Sequence, residues 1–178
     1  MARHIEHSAQ YPHPVATLHA ALTDEGYWQA RLQQVGGPGA ALESVTVGDG
    51  AIEVVLQQAV PAEHLPSMVT SIRQGDLIIR RTESWGPLQD GRAHGTFSAE
   101  VEGAPGQVRG TVTITADGTG SLLVMAGEVE VRIPLIGGKI ESVIAGQVLE
   151  LLDAEEDFTA TGWRRRVVAF SDRRATSR

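Results

Sequence analysis

Apolar and polar residues alternate with a period of two along seven segments of the chain, and most of these segments are separated by turns rich in glycine or proline. Such alternation is typical of strands that bury one face and expose the other. In residues 93–101, for example, Ala93, Phe97 and Val101 share one face, whereas Glu100 lies on the other. The predicted strands cover residues 3–11, 42–47, 52–60, 76–85, 93–101, 108–115 and 122–133.

Three further segments follow the helical period of about 3.6 residues. Residues 15–22 and 25–35 form two short helices after the first strand, and Thr23 or Asp24 suits the N-cap of the second. The longest predicted helix covers residues 139–158, and its apolar side chains span an arc of roughly 240°, wider than a surface helix needs. We therefore expect this helix to be held inside a curved sheet, with other elements closing over it.

The order of these elements predicts an α+β fold in which a curved antiparallel sheet of about seven strands surrounds a long C-terminal helix. Between the third and fourth strands, residues 61–75 place Leu65 and Val69 at helical spacing, which indicates a short helix or an irregular flap. We expect residues 1–163 to form one helix-grip domain. Residues 164–178 hold six arginines and one aspartate, which is typical of a flexible basic tail.

The composition narrows the possible functions. With 178 residues, 42% hydrophobic and 21% charged, the chain is long enough to fold around a sizeable core. Its formal net charge of -7 argues against a nucleic-acid partner. The chain has no cysteine, which excludes disulfides and cysteine nucleophiles and is compatible with a cytoplasmic location. No apolar run approaches the roughly 18 to 20 residues of a membrane span, so stable membrane insertion is not expected, and nothing indicates the oligomeric state.

Motifs for metal, phosphate or nucleophilic chemistry are missing. The tightest group of possible metal ligands is His4, Glu6 and His7, but on a strand the first two point to one side and His7 to the other. No G-x-x-x-x-G-K-[ST] loop and no G-x-S-x-G nucleophile turn occurs. We therefore expect no metal and no cofactor, and the sequence names no catalytic residue.

Two charged residues stand in phase with apolar ones on the fourth predicted strand. Arg81 and Glu83 share the face of Trp85, so they can point into the interior, where an unpaired charge is costly. If both are buried, they should be paired. Two other interpretations stay open: either the strand presents Ile78 and Arg80 inward instead, or Arg81 and Glu83 satisfy each other as structural polar contacts.

The sequence of one strand, two short helices, six strands and a long C-terminal helix resembles the START-like or SRPBCC helix-grip superfamily over about residues 2–163. Local segments are similar to an actinobacterial branch of that superfamily, classed as a domain of unknown function. These segments are residues 14–22, Tyr27-Trp28, Glu83-Ser84-Trp85 and residues 131–141 with the sequence VRIPLIGGKIE. The resemblance implies a deep cavity between sheet and helix, which the superfamily uses for lipids, sterols, polyketides and hormones. It carries over no catalytic residue, because the branch offers no catalytic motif to match.

The leading hypothesis is therefore that the chain binds a small hydrophobic or lipid-like molecule between the sheet and the long helix. Gln147 falls within the apolar arc of that helix and needs a hydrogen-bond partner or a water there. The candidate ligand-binding residues are Arg81, Glu83, Trp85, Phe97, Met125, Ile140, Ile144, Gln147 and Leu151.

Two alternatives belong to other classes. One is a cyclase- or dehydratase-like enzyme acting on a polyketide-type substrate, with Arg81 or Glu83 as acid or base and Gln147 orienting a carbonyl. The other is an interaction module whose core is filled by its own side chains. A measurable cavity separates the module from the other two, and a converging, hydrogen-bonded ionisable pair with a perturbed pKa favours the enzyme.

Overall fold

A computed structural model describes residues 2–65, 67–71 and 74–162, without the side chain of Met68. The predicted basic tail, residues 164–178, lies outside the described residues, so its flexibility stays a prediction. All seven predicted strands are present, each within two residues of its expected limits. They are β1 (Arg3–Tyr11), β2 (Ala41–Gly48), β3 (Ala51–Val60), β4 (Leu77–Trp85), β5 (Ala93–Val101), β6 (Gly106–Asp117) and β7 (Gly120–Val131).

The strands form one antiparallel sheet in the order β1-β7-β6-β5-β4-β3-β2. Every neighbouring pair except β1 and β7 is joined by a direct connection along the chain. In the β2–β3 hairpin, the two turn residues Asp49 and Gly50 have φ angles of 53° and 73°. Two consecutive positive φ angles match the twist of a two-residue hairpin, which explains the glycine at this turn.

Four α-helices and one short 3-10 helix (Ala62–His64) complete the described fold. The α-helices are α1 (Val15–Leu22), α2 (Glu25–Val35), α3 (Ser67–Thr70) and α4 (Gly137–Asp157). The side chain of Asp24 caps α2 by accepting a hydrogen bond from the Tyr27 backbone N–H at 3.2 Å. The long helix α4 lies against β1 and β7, and the chain continues from it into a wider turn, Phe158–Gly162. The predicted curved sheet around a long C-terminal helix is therefore confirmed.

The inner face of the sheet and the helices α1, α2 and α4 enclose the core. Leu18, Trp28, Val54, Ile114 and Val129 have at most traces of exposed surface. Trp28 can be buried because its indole N–H donates to the Leu22 carbonyl at 2.8 Å. The indole nitrogen of Trp28 therefore has its hydrogen-bond partner inside the core.

The central part of α4 is less enclosed than its broad apolar arc predicts. Ile144, Val148 and Leu151 are half-buried, and Gln147 is exposed instead of lying at the centre of a buried face. Only one side of the helix, including Ala145 and Leu152, packs into the closed core. Ile144, Val148 and Leu151 instead line a cavity between the helix and the sheet.

Candidate functional site

A cavity of about 370 Å³ lies between α4 and the inner face of strands β3 to β6. Its walls are mainly aliphatic, and Arg81 is the single charged residue among the described residues that line it. On the α4 side the walls are formed by Ile144, Gln147, Val148, Leu151 and Leu152. The cavity is therefore apolar over most of its surface, with one charged group on its wall.

The floor of this cavity carries Phe97, whose ring lies across two glycines of the sheet. A Cβ atom on Gly110 would be 2.5 Å from the tip of the ring, and one on Gly127 would be 2.7 Å from it. Only glycine lets the ring approach the strands this closely. The ring of Phe97 therefore packs directly against the backbone of the sheet.

A second cavity of about 210 Å³ adjoins the first toward the connection between β7 and α4. The two share Leu65, Leu77, Ile144 and Gln147, so they are parts of one larger cleft. Leu65 belongs to the segment between β3 and β4 that the sequence predicted as a short helix or flap, and that segment contains the one-turn helix α3. The cleft is bounded by this segment, α4 and the ends of the strands.

The structure divides the predicted site residues among three spaces. Six of them line the larger cavity: Arg81, Phe97, Met125, Ile144, Gln147 and Leu151. Ile140 lines the second cavity, while Glu83 and Trp85 line a neighbouring space of only about 40 Å³. Their roles in binding a ligand stay predictions.

Four charged side chains meet between the large cavity and this small space, and we call them the charge quartet: Arg31, Arg81, Glu83 and Glu155. Arg81 donates two hydrogen bonds to the carboxylate of Glu155, at 2.7 and 2.9 Å, and its Nη2 lies 2.6 Å from Glu83 Oε1. Arg31 donates to Glu83 Oε1 at 2.7 Å and lies 3.5 Å from Glu155 Oε2. Each carboxylate therefore serves both guanidinium groups.

The quartet is removed from water, since none of its members exposes more than 8% of its surface. Arg81 and Glu83 do face inward, so the interpretation with Arg80 inward is wrong, and the two also satisfy each other as the alternative interpretation supposed. The buried charges have to be paired, because removing one partner from a buried ion pair lowers the free energy of unfolding by about 3 to 5 kcal/mol. An unpaired arrangement of these residues would not be stable.

The electrostatics of the quartet favour the charged forms of Arg31, Arg81 and Glu155. Burial by itself would raise the pKa of Glu155, but the attraction of Arg31 and Arg81 outweighs burial and lowers that pKa below 4.5. Burial opposes the charge of both arginines, yet Glu155 and Glu83 keep the pKa values of Arg31 and Arg81 above their ordinary value. The pKa values of Arg31, Arg81 and Glu155 are therefore all displaced further from neutral pH.

Aromatic and hydroxyl groups surround the quartet on the side of α2. The Arg31 guanidinium lies over the Trp28 ring, 4.1 Å from its centroid. Tyr27 donates its hydroxyl proton to Thr159 Oγ1 at 2.8 Å, because the Thr159 hydroxyl itself donates to the Glu155 carbonyl at 2.7 Å. Burial raises the pKa of the Tyr27 hydroxyl, so this group also keeps its proton at neutral pH.

Sequence reasoning identified neither Glu155 nor Arg31 as a site residue. A signal for Glu155 was present: Glu141, Ala145, Val148, Leu152 and Glu155 follow one another at spacings of three and four, on one helix face. Glu141 is also buried there, and its carboxylate accepts the Val131 backbone N–H at 3.0 Å. Carboxylates in phase with a buried helical face therefore indicated internal hydrogen-bond or ion-pair partners.

One group in the described part of the chain could hold a metal ion: His7, Asp153 and Glu156. His7 Nε2 lies 3.3 Å from Glu156 Oε2, and His7 Nδ1 lies 3.7 Å from Asp153 Oδ1. The two nitrogens thus face different carboxylates, which equally suits polar contacts between β1 and α4. As the alternation along β1 predicts, His4, Glu6 and His7 do not converge, since His4 and Glu6 are exposed and His7 is half-buried against α4.

Comparisons with solved structures agree with the fold. The crystal structure of TTHA0849 from Thermus thermophilus superposes with a TM-score of 0.56 at 15% identity, covering 88% of this chain and 97% of that one. The structure of truncated norcoclaurine synthase from Thalictrum flavum gives a TM-score of 0.54 at 14% identity, with 90% and 95% covered. At such low identity these similarities establish the helix-grip architecture and nothing more.

No helix in the described part of the chain is long and apolar enough to cross a membrane.

At the level of sequence, the chain is 38% identical over 166 residues to the uncharacterized protein Rv0481c of Mycobacterium tuberculosis, and the match covers 89% of this chain and 95% of the relative. Residues 6–162 match a family described as "Protein of unknown function (DUF2505)". The chain therefore belongs to the DUF2505 family.

Proposed function

We propose that this protein binds a small hydrophobic molecule in the cavity between the sheet and α4. The observation that carries the proposal is the apolar cavity of about 370 Å³. This volume falls in the range of about 300 to 1,000 Å³ that is typical of small-molecule sites. Its half-buried aliphatic walls gain free energy when a ligand covers them, at about 25 cal/mol per Å² of apolar surface.

The size of the cavity argues against the filled-core interaction module. A close-packed protein interior leaves few spaces larger than a water molecule, so a void of this size departs from ordinary packing. The open side of α4 points the same way, because Ile144, Val148 and Leu151 are apolar yet only half-buried. A bound apolar molecule would complete their burial.

The enzyme alternative has one observation in its favour, since ionisable groups do converge and hydrogen-bond at the cavity wall. A general acid or base, however, works best with a pKa near the working pH. Arg31, Arg81 and Glu155 have pKa values displaced away from neutrality, so they hold their protons or charges rather than exchange them. Norcoclaurine synthase is named as an enzyme and has this fold, but the displaced pKa values of the quartet do not favour proton transfer here.

The proposal is tested by uptake of the uncharged dye N-phenyl-1-naphthylamine, whose fluorescence rises in an apolar site. Wild-type protein should bind the dye, and Ile144→Trp should abolish binding, because the indole would fill the cavity. Since the new side chain enters empty space, the free energy of unfolding should change by less than about 1.5 kcal/mol. Val124→Trp is the matched control, because Val124 is 42% exposed on the outer face of the sheet.

Three results would contradict the proposal. The wild type could fail to take up the dye, or Ile144→Trp could bind it as well as Val124→Trp does. A loss of stability of about 1 to 3 kcal/mol or more in Ile144→Trp, without dye uptake by the wild type, would indicate a filled core. Independently of the dye, native mass spectrometry of protein from its own source would identify any molecule that remains bound.

A further inference from the structure

We propose that the cavity selects an uncharged ligand, because its one charged residue, Arg81, is already neutralised inside the charge quartet. This inference rests on the proposed function and specifies the chemical class of the ligand. Among the described residues that line the two adjoining cavities, Arg81 alone has a charged side chain. The selection therefore depends on how fully that charge is engaged.

Arg81 is engaged on both sides by the carboxylates of the quartet. Its guanidinium donates to both oxygens of Glu155, at 2.7 and 2.9 Å, and contacts Glu83 Oε1 at 2.6 Å. The bidentate arrangement uses the planar geometry that favours arginine over lysine. With Arg31 as the second cation, two positive and two negative charges cancel within the cluster.

An anionic ligand would find no free cation on the described cavity walls. To reach Arg81, a ligand carboxylate would have to displace Glu83 or Glu155, which would leave a protein carboxylate buried without its partner. The ligand would also lose its own hydration, and both costs are large in a region of low dielectric constant.

A cationic ligand would likewise find no free carboxylate on the described cavity walls. Glu83 and Glu155 each contact both Arg31 and Arg81, so neither carboxylate is available to a ligand ammonium group. An uncharged molecule loses less hydration than either ion. Its polar end can instead meet the side-chain amide of Gln147, which is exposed and lines the cavity.

The first test compares three ligands with one decyl chain on the wild type: decan-1-ol, decanoate and decylammonium. Each is used to displace N-phenyl-1-naphthylamine. Decan-1-ol should displace the dye most readily at pH 8. Between pH 8 and pH 5 the concentration of decanoate needed should fall at least about tenfold, because a carboxylic acid becomes neutral near pH 4 to 5. Decan-1-ol controls for pH effects on the protein, since its own charge does not change.

The second test shifts the charge of the quartet in both directions. Glu83→Gln gives it one net positive charge, so the affinity for decanoate relative to decan-1-ol should rise by about tenfold or more. Arg31→Gln gives one net negative charge and should favour decylammonium by a similar factor. The double variant Arg31→Gln/Glu83→Gln restores neutrality and should return both ratios toward the wild-type values.

Glu128→Gln is the matched control, because it removes one carboxylate that pairs with the exposed Arg109 on the outer face of the sheet. Its affinity ratios should equal those of the wild type. Circular dichroism must show that each variant is folded, and the wild-type pH series decides the question if the quartet variants do not fold.

The outcomes separate this inference from the proposed function. If decanoate binds the wild type as tightly as decan-1-ol at pH 8, or if Glu83→Gln leaves the ratios unchanged, the selection for uncharged ligands is refuted while binding stands. If neither the dye nor any decyl compound binds, the proposed function fails and this inference fails with it. Opposite shifts in Glu83→Gln and Arg31→Gln would support both.

Discussion

The two ends of the interior differ in chemistry and in packing. At the closed end, between α2, β4 and the end of α4, the charge quartet is buried and each charged group is hydrogen-bonded or ion-paired. At the open end, where the strands meet the middle of α4, aliphatic side chains such as Ile144, Val148 and Leu151 stay half-exposed around the cavity. The four charges of the quartet are thus buried, whereas these three aliphatic side chains of α4 remain accessible.

This difference shows which residues carry stability and which are available for binding. Buried polar groups that satisfy one another strengthen a unique packing, but they have little capacity left for a ligand. Accessible apolar surface contributes nothing to the free protein and is released from water only when something covers it. The charged residues that first suggest catalysis therefore have a structural role at the closed end, and the open end is where we propose that a ligand binds.

The largest expected effect on stability comes from removing one charge of the quartet at the closed end. Arg81→Met leaves the quartet with one excess buried negative charge, so the free energy of unfolding should fall by about 3 to 5 kcal/mol. Arg81→Met/Glu83→Leu removes an ion pair and leaves Arg31 with Glu155, so it should cost less than the single change. Urea unfolding measures both.

The control for this comparison is Arg80→Met, which removes the neighbouring arginine on the outward face of β4. Arg80 pairs with Glu43 but exposes 65% of its side chain, and exposed ion pairs contribute only about 0 to 1 kcal/mol. Small and additive effects of Arg81→Met and Glu83→Leu would contradict the coupled quartet. Such a result would place both residues in solvent.

A second effect concerns the acid limb of stability. The pKa of Glu155 is lowered in the folded protein, so the unfolded chain takes up a proton on this group first as pH falls. Its contribution to stability is therefore complete well above pH 4.5 and is lost as pH falls through the folded pKa. Glu155→Gln should be less stable at pH 7 and should show a shallower decline below pH 4.5. Urea titrations at several pH values test this, and an unchanged slope would contradict it.

The smallest effect is expected near the open end, in the connection between β7 and α4. Leu135 has a φ of 71° and a fully exposed side chain, so it bears backbone strain without gaining burial. Leu135→Asn should stabilise the protein by up to about 1 kcal/mol, because asparagine tolerates the left-handed region better. Leu88→Asn is the control, since Leu88 is 37% exposed and has no positive φ. Thermal unfolding that ranks the two variants in the opposite order would refute the strain.

Much of the architecture was predictable because it depends on local periodicity. Alternation along residues 93–101 predicted β5 at its observed limits, and Asp24 was among the two residues expected to cap α2. The position of Arg81 and Glu83 in phase with Trp85 indicated buried charges that need partners. It did not identify those partners, because Arg31 lies 52 residues from Glu83, and Glu155 lies 74 residues from Arg81.

The sequence by itself determined the strands, the helices and the faces on which charge and apolar surface alternate, since each depends on neighbours a few residues apart. Tertiary structure alone decided that two arginines and two glutamates meet in one cluster, because their convergence depends on how α2, β4 and α4 pack. It also decided that Gln147 is exposed at a cavity instead of buried at a helix interface. A periodic pattern states that a face is apolar, but the curvature of the sheet determines whether that face is filled or left open.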